Sequence, residues 1–82
     1  MKSVKLPYEK QGYIYFTCLT YETQPEKMKR KIEKLCSESA KYNYDALFEL
    51  LTTDRGITFL AQKYYINERS LRRYRRKFFE NW

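Results

Sequence analysis

From Arg69 to Arg76 the chain carries five arginines in eight residues, and a segment so charged folds only if its other side chains gather on one side. They do. At about 100° per residue in an α-helix, Leu71, Tyr74, Phe78 and Trp82 form one stripe, with Arg69, Arg73 and Arg76 nearly opposite and Arg72 between. Burying the rings therefore turns these guanidinium groups outward. Arg75 sits beside the apolar stripe instead, and Lys77 lies toward the flank.

The residues before this helix have a matching pattern. Leu60, Ala61 and Tyr64 share one face of a preceding helix, Ile66 stands in a turn, and Leu71 and Tyr74 face inward from the arginine-bearing helix. Asn67 suits the N-cap because its side-chain oxygen satisfies free amides of the first turn, with Ser70 placed to assist. The pattern, about a quarter of the chain, resembles the helix-turn-helix superfamily in its small-regulator, transposase-type and sigma-factor region 4 versions. Ala61 falls where those motifs need a small residue between closely approaching helices. Tyr65 departs from them, standing where many members carry glycine to turn with positive φ, which costs a bulky residue roughly 1 kcal/mol or more. A longer or differently shaped turn is therefore expected.

The resemblance implies an all-α bundle of four to five helices, with residues 1–55 as supporting helices, 56–82 as the helix-turn-helix and a recognition helix over about 68–79. It further implies that this helix enters the major groove of double-stranded DNA. Arg69, Arg72, Arg73 and Arg76 are then the candidates for guanine edges, and Asn67 and Glu68 for adenine or cytosine, since these side chains match those donor and acceptor patterns. Thr58, Lys63, Ser70, Arg75 and Lys77 are the candidates for phosphates, with an internal carboxylate as the other destination of Arg75.

Charge points the same way. Seventeen Lys and Arg against ten Asp and Glu give a net charge of +7, an excess that attracts a polyanion. A second basic group, Lys27, Lys29, Arg30, Lys31 and Lys34, lies on an earlier helix, where a solvated face is the plainer explanation. An arginine face also serves solubility or an acidic protein partner, but neither requires a turn motif in front of it.

Elsewhere the chain compensates for small size with rings: nine Tyr, five Phe and one Trp. Pro7 to Glu22 reads as a helix, although Gly12 and the alternation at Tyr13, Tyr15 and Thr17 leave a strand open. Thr23 and Glu26 have capping-box spacing around Pro25. Met28, Ile32, Leu35, Cys36 and Ser39 then define an amphipathic helix to about Tyr42. A core helix with Ala46, Leu47, Phe48, Leu50 and Leu51 follows Asn43, and Thr53 or Asp54 is placed to cap the helix after it. Tyr8, Tyr13, Tyr15, Tyr21, Tyr42 and Tyr44 are expected to be half-buried with wet hydroxyls.

Other chemistries are poorly supplied. The chain has no histidine, the commonest general base and metal ligand. Two cysteines cannot close a structural zinc site, and Cys18 and Cys36 fall at apolar helical positions that suit buried thiols. Asp45 and Glu49 form an ordinary polar i, i+4 pair. A tyrosine-recombinase reading fails on length and on the missing histidine. No secretory signal or apolar span is seen, so the expectation is a cytoplasmic, nucleoid-associated protein with no catalytic residue, metal or cofactor. By analogy with the family it is a transcriptional regulator or excision factor of a phage or other mobile element. Its partners would be double-stranded DNA and either RNA polymerase or a recombinase, and its state a monomer or homodimer. An RNA-binding protein and a protein-interaction adaptor that inhibits a host factor are the rival readings.

Overall fold

In the computed structural model, which describes residues 5–82, the regular elements are helices. They are α1 (Tyr8–Leu19), α2 (Glu26–Ala40), α3 (Tyr44–Thr52), α4 (Ile57–Lys63) and α5 (Glu68–Glu80), with 3-10 turns at Tyr21–Thr23 and Lys41–Asn43. Residues 1–4 of the expected 1–82 domain lie outside the described residues.

Helical spacing, and not alternation, decides α1. Gln11, Ile14 and Cys18 are buried while Tyr13 and Tyr15 point outward, so the residues facing the core recur every three or four positions. The helix begins after Pro7, whose carbonyl accepts from the Gln11 amide at 3.0 Å, and it runs through Gly12 without a positive φ.

The capping box expected ahead of α2 does not form. Thr23 belongs to the preceding 3-10 turn and donates its hydroxyl to the Thr20 carbonyl at 2.8 Å, while Pro25 takes the cap position with no side-chain bond. The Pro25 carbonyl instead accepts from the Met28 and Lys29 amides, both at 3.0 Å. Ile32, Leu35, Cys36, Ser39 and Ala40 form the buried face of α2. The helix stops at Ala40, two residues short of the expected Tyr42, because Lys41 turns the chain with φ 49°.

Helix α3 is the hub, packing against α1, α2, α4 and α5. Ala46, Leu47, Leu50 and Leu51 are buried, and Phe48 lies at the edge, stacked on Tyr44 and edge-on to Tyr21. After it, neither Thr53 nor Asp54 caps α4. The Thr53 hydroxyl donates back to the Glu49 carbonyl at 2.6 Å, and Gly56 takes the cap position.

One core results. Ile14, Cys18, Ile32, Cys36, Leu47, Leu60, Leu71 and Phe78 have side chains sealed from solvent and come from all five helices. Each large aliphatic or aromatic one contributes about 1.5–3 kcal/mol of burial. The radius of gyration, 11.9 Å, matches a single folded domain of this length, about 12 Å.

The rings distribute differently from the expectation of uniform half-burial. Tyr21 and Tyr44 are half-buried, but Tyr8, Tyr13, Tyr15 and Tyr42 are exposed, because α1 packs by its opposite face and Tyr42 stands on a turn. Phe79 is buried beside α1.

Candidate nucleic-acid interface

The turn between α4 and α5 carries its own signature. Ile66 donates its amide to the Ala61 carbonyl at 2.8 Å and Tyr65 to that of Gln62 at 3.3 Å. This nested pair is the Schellman ending of a helix, which requires a left-handed residue after the cap. Tyr65 supplies it with φ 56° and a ring that is 96% exposed. The turn is therefore not lengthened to spare a bulky side chain, as the sequence led one to expect; Tyr65 takes the glycine conformation itself. The reason is visible in its neighbours, since Leu60, Ala61 and Leu71 are buried and Ile66 packs on the core. Their burial fixes the turn.

Asn67 begins α5 as the cap, its Oδ1 accepting from the Arg69 amide at 2.7 Å. Leu71, Phe78 and Phe79 are the buried residues of α5, and Tyr74 and Trp82 pack partly against the core. Arg69, Arg72, Arg73, Arg76 and Lys77 are exposed. Two of the candidate residues are engaged with each other: Arg72 donates to Glu68 at 3.2 Å. The Arg73 guanidinium lies 5.8 Å from the centre of the Tyr74 ring, leaning toward the Lys41–Asn43 turn. Asn67 has committed its oxygen to the cap, so a bidentate grip on adenine would compete with the start of the helix.

The candidate phosphate residues do not lie together. Thr58 is exposed in the first turn of α4, and Ser70 is half-buried on α5. Lys63 is engaged by Glu49 at 2.9 Å. Glu49 also accepts from the Tyr64 hydroxyl at 2.7 Å and pairs with Arg55 at 3.3 Å. The bonds from Lys63 and Tyr64 hold the Glu49 carboxyl below its ordinary pKa, and the same carboxylate raises those of Lys63 and Tyr64. Glu49 thus ties α3 to α4, a role that its i, i+4 spacing from Asp45 gives no sign of.

Arg75 occupies a different flank. It lines a cleft of about 360 Å³ with Tyr8, Gln11, Gly12, Tyr15 and Phe79. Its Nε is sealed from water and meets no acceptor among the described residues. Burial, with the Arg72 charge, lowers its pKa. The internal carboxylate considered for it is absent among the described residues.

On the opposite flank of α5, Asn43 donates to the Tyr74 hydroxyl at 3.0 Å. This brings Lys41 and Tyr42 beside Arg73 and Lys77. Sequence reasoning misses these turn residues because Asn43 and Tyr74 are 31 positions apart and no periodicity links them.

The Lys27–Lys34 group is only partly free. Lys29 lies 5.4 Å from the Tyr21 ring centre, Lys31 4.1 Å from that of Trp82, and Arg30 is 3.8 Å from Glu26. Cys18 and Cys36 are buried free thiols, as their positions implied. Among the described residues no group of three His, Cys, Asp or Glu is placed to hold a metal, and no helix is long and apolar enough to cross a membrane. No protein-family model, curated protein or solved structure matches this chain.

Proposed function

We propose that the chain binds double-stranded DNA by placing α5 in the major groove, with α4 and α5 acting as a helix-turn-helix. The observation that carries this reading is the exposed face of Arg69, Arg72, Arg73 and Arg76 on a helix whose other side is anchored by Leu71 and Phe78. A rigid rod with outward guanidinium groups suits guanine edges, whose O6 and N7 accept two parallel hydrogen bonds. Phosphates supply most of the affinity and the arginines the selectivity. Arg69 and Arg76 are the freest candidates, because Arg72 is shared with Glu68 and Arg73 leans on Tyr74. A module of this kind fits a regulator or excision accessory of a mobile element.

Selection from a random duplex library at physiological salt tests the reading. An enriched motif is expected, and Arg76→Ala should remove about 1–3 kcal/mol of discrimination at one position while leaving the fold intact. Equal retention of all sequences, or unchanged preference in Arg76→Ala, counts against groove reading. A second surface favours a protein partner in addition: Tyr8, Tyr13, Tyr15 and Phe16 leave α1 with an exposed aromatic side. Because those rings are not consumed by the core, a homodimer or a contact with polymerase or recombinase is open to the same chain. A complex with another protein that persists at salt high enough to strip DNA is the mark of an adaptor, and comparable affinity for structured RNA that of an RNA binder.

A further inference from the structure

The turn Lys41–Asn43 and the flank of α5 enclose a pocket of about 320 Å³ bordered by Lys41, Tyr42, Asn43, Arg73, Tyr74 and Lys77. Three cations meet there without a carboxylate. Among the described residues none of the three has an ion-pair partner, so their mutual repulsion is met only by solvent. The C-terminal end of α2 contributes roughly half a negative charge, too little to balance them.

The pocket also offers hydroxyl donors that no acceptor among the described residues uses. The Tyr74 oxygen accepts from Asn43, which leaves its own proton free to donate. Tyr42 is fully exposed, and its hydroxyl has no partner among the described residues. Ser39, 4% exposed, lies at the base of the same pocket, but its Oγ is itself sealed from water and so is not among the donors that reach a ligand there. Lys41 is held at φ 49° and ψ −110°, a conformation suited to glycine. Strained backbone that persists in a folded chain gathers at ligand sites. A group with several acceptor oxygens and a negative charge fits this arrangement; a cation or an apolar group does not.

We infer that this pocket seats a backbone phosphate of duplex DNA on the flank of the bases faced by α5, gripped by Lys41 and Lys77 with the Tyr42 and Tyr74 hydroxyls donating. The inference rests on the duplex reading above and adds a contact from outside the α4–α5 unit. Arg73 connects the two, since it borders the pocket and belongs to the arginine face. Tyrosine hydroxyls and lysines are ordinary phosphate ligands that set register without reading sequence.

Lys41→Gly separates this role from a structural one, because glycine relieves the backbone while deleting the charge. Its thermal midpoint should rise. Its affinity for duplex should fall by about five- to tenfold at 0.1 M salt, equally for selected and scrambled sequences, and the salt slope should drop by about one unit. Tyr42→Phe, which removes only a hydroxyl, should weaken binding by a smaller factor with the slope unchanged. A Lys41→Gly chain that folds and keeps wild-type affinity and slope overturns the pocket assignment while leaving α5 reading intact. The same holds if, alongside that result, inorganic phosphate shifts the Lys41–Asn43 amide resonances of the wild-type chain, which identifies a free-anion site. A wild-type chain that binds no duplex overturns the pocket and the reading beneath it.

Discussion

At the scale of single residues, Tyr65 shows how burial nearby overrides local preference. The pull comes from Ile66 and Ala61, which must pack, and the Schellman bonds between them leave the intervening position no choice but positive φ. The tyrosine bears roughly 1 kcal/mol of strain for this, and its exposed ring recovers little by packing. Tyr65→Gly should therefore stabilise the chain by about 1 kcal/mol, read as a higher denaturant midpoint with an unchanged m-value. A neutral or destabilising result means that the ring makes a contact in solution which outweighs the strain. That Tyr65 sits at this position was legible in the sequence; that it would adopt the conformation was not, because propensity describes one residue and the turn is set by its neighbours.

Among the helices, legibility followed the strength of the apolar period. The buried faces of α2 and α3 and the two-sided character of α5 could be read from Ile32, Leu35, Cys36, Leu47, Leu50 and Leu71, because one face of each must enter the core. Phe79 escaped that reading, since α1 covers a side of α5 that intrahelical spacing alone leaves open. Caps were legible only where geometry had no competitor. Asn67 caps α5, whereas Thr23 and Thr53 send their hydroxyls back to carbonyls of the preceding turn, an alternative that spacing cannot rank. The candidate site divides in the same way: outward arginines follow from α5 alone, but Lys41 and Asn43 join them only through tertiary packing. Helix α1 offers a test of how far its own interior is optimised. Glycine inside a helix costs about 0.5–1 kcal/mol relative to alanine, and a Cβ placed on Gly12 meets nothing within 4 Å. Gly12→Ala should raise stability by about that amount in thermal or chemical unfolding. Loss of binding to any partner in the same variant would assign the open flank of α1, bounded by Tyr8, Tyr15 and Arg75, to an interface needing close approach.

For the whole molecule the single core makes stability depend on alkaline pH in a definite direction. Cys18 and Cys36 are sealed in it, and burial pushes both thiols from 9.0 up to about 12. Between those values the unfolded chain releases protons that the folded chain retains, so the unfolded state gains and stability falls as pH rises. Each thiol contributes a slope of about 1 kcal/mol per pH unit in that window, and the contribution is fully present below about pH 9. Tyr21, pushed to about 12 chiefly by its bond to Glu33, and Tyr44, pushed to about 12 chiefly by burial, act in the same direction above pH 10. Loss of lysine charge opposes the trend by relieving repulsion in a chain of net charge +7. Exposed, screened charges contribute only fractions of a kcal/mol each, so the thiols prevail. Urea midpoints should fall steadily from pH 9 to pH 11, and Cys36→Ala should start from a different midpoint at pH 9 and decline visibly more shallowly, its difference from the parent chain changing with pH. Alkylation should reach neither thiol faster than the chain unfolds. A midpoint flat across that range, or rapid labelling of the native protein, would place the two sulfurs in contact with water and divide the core that α1, α2 and α5 share.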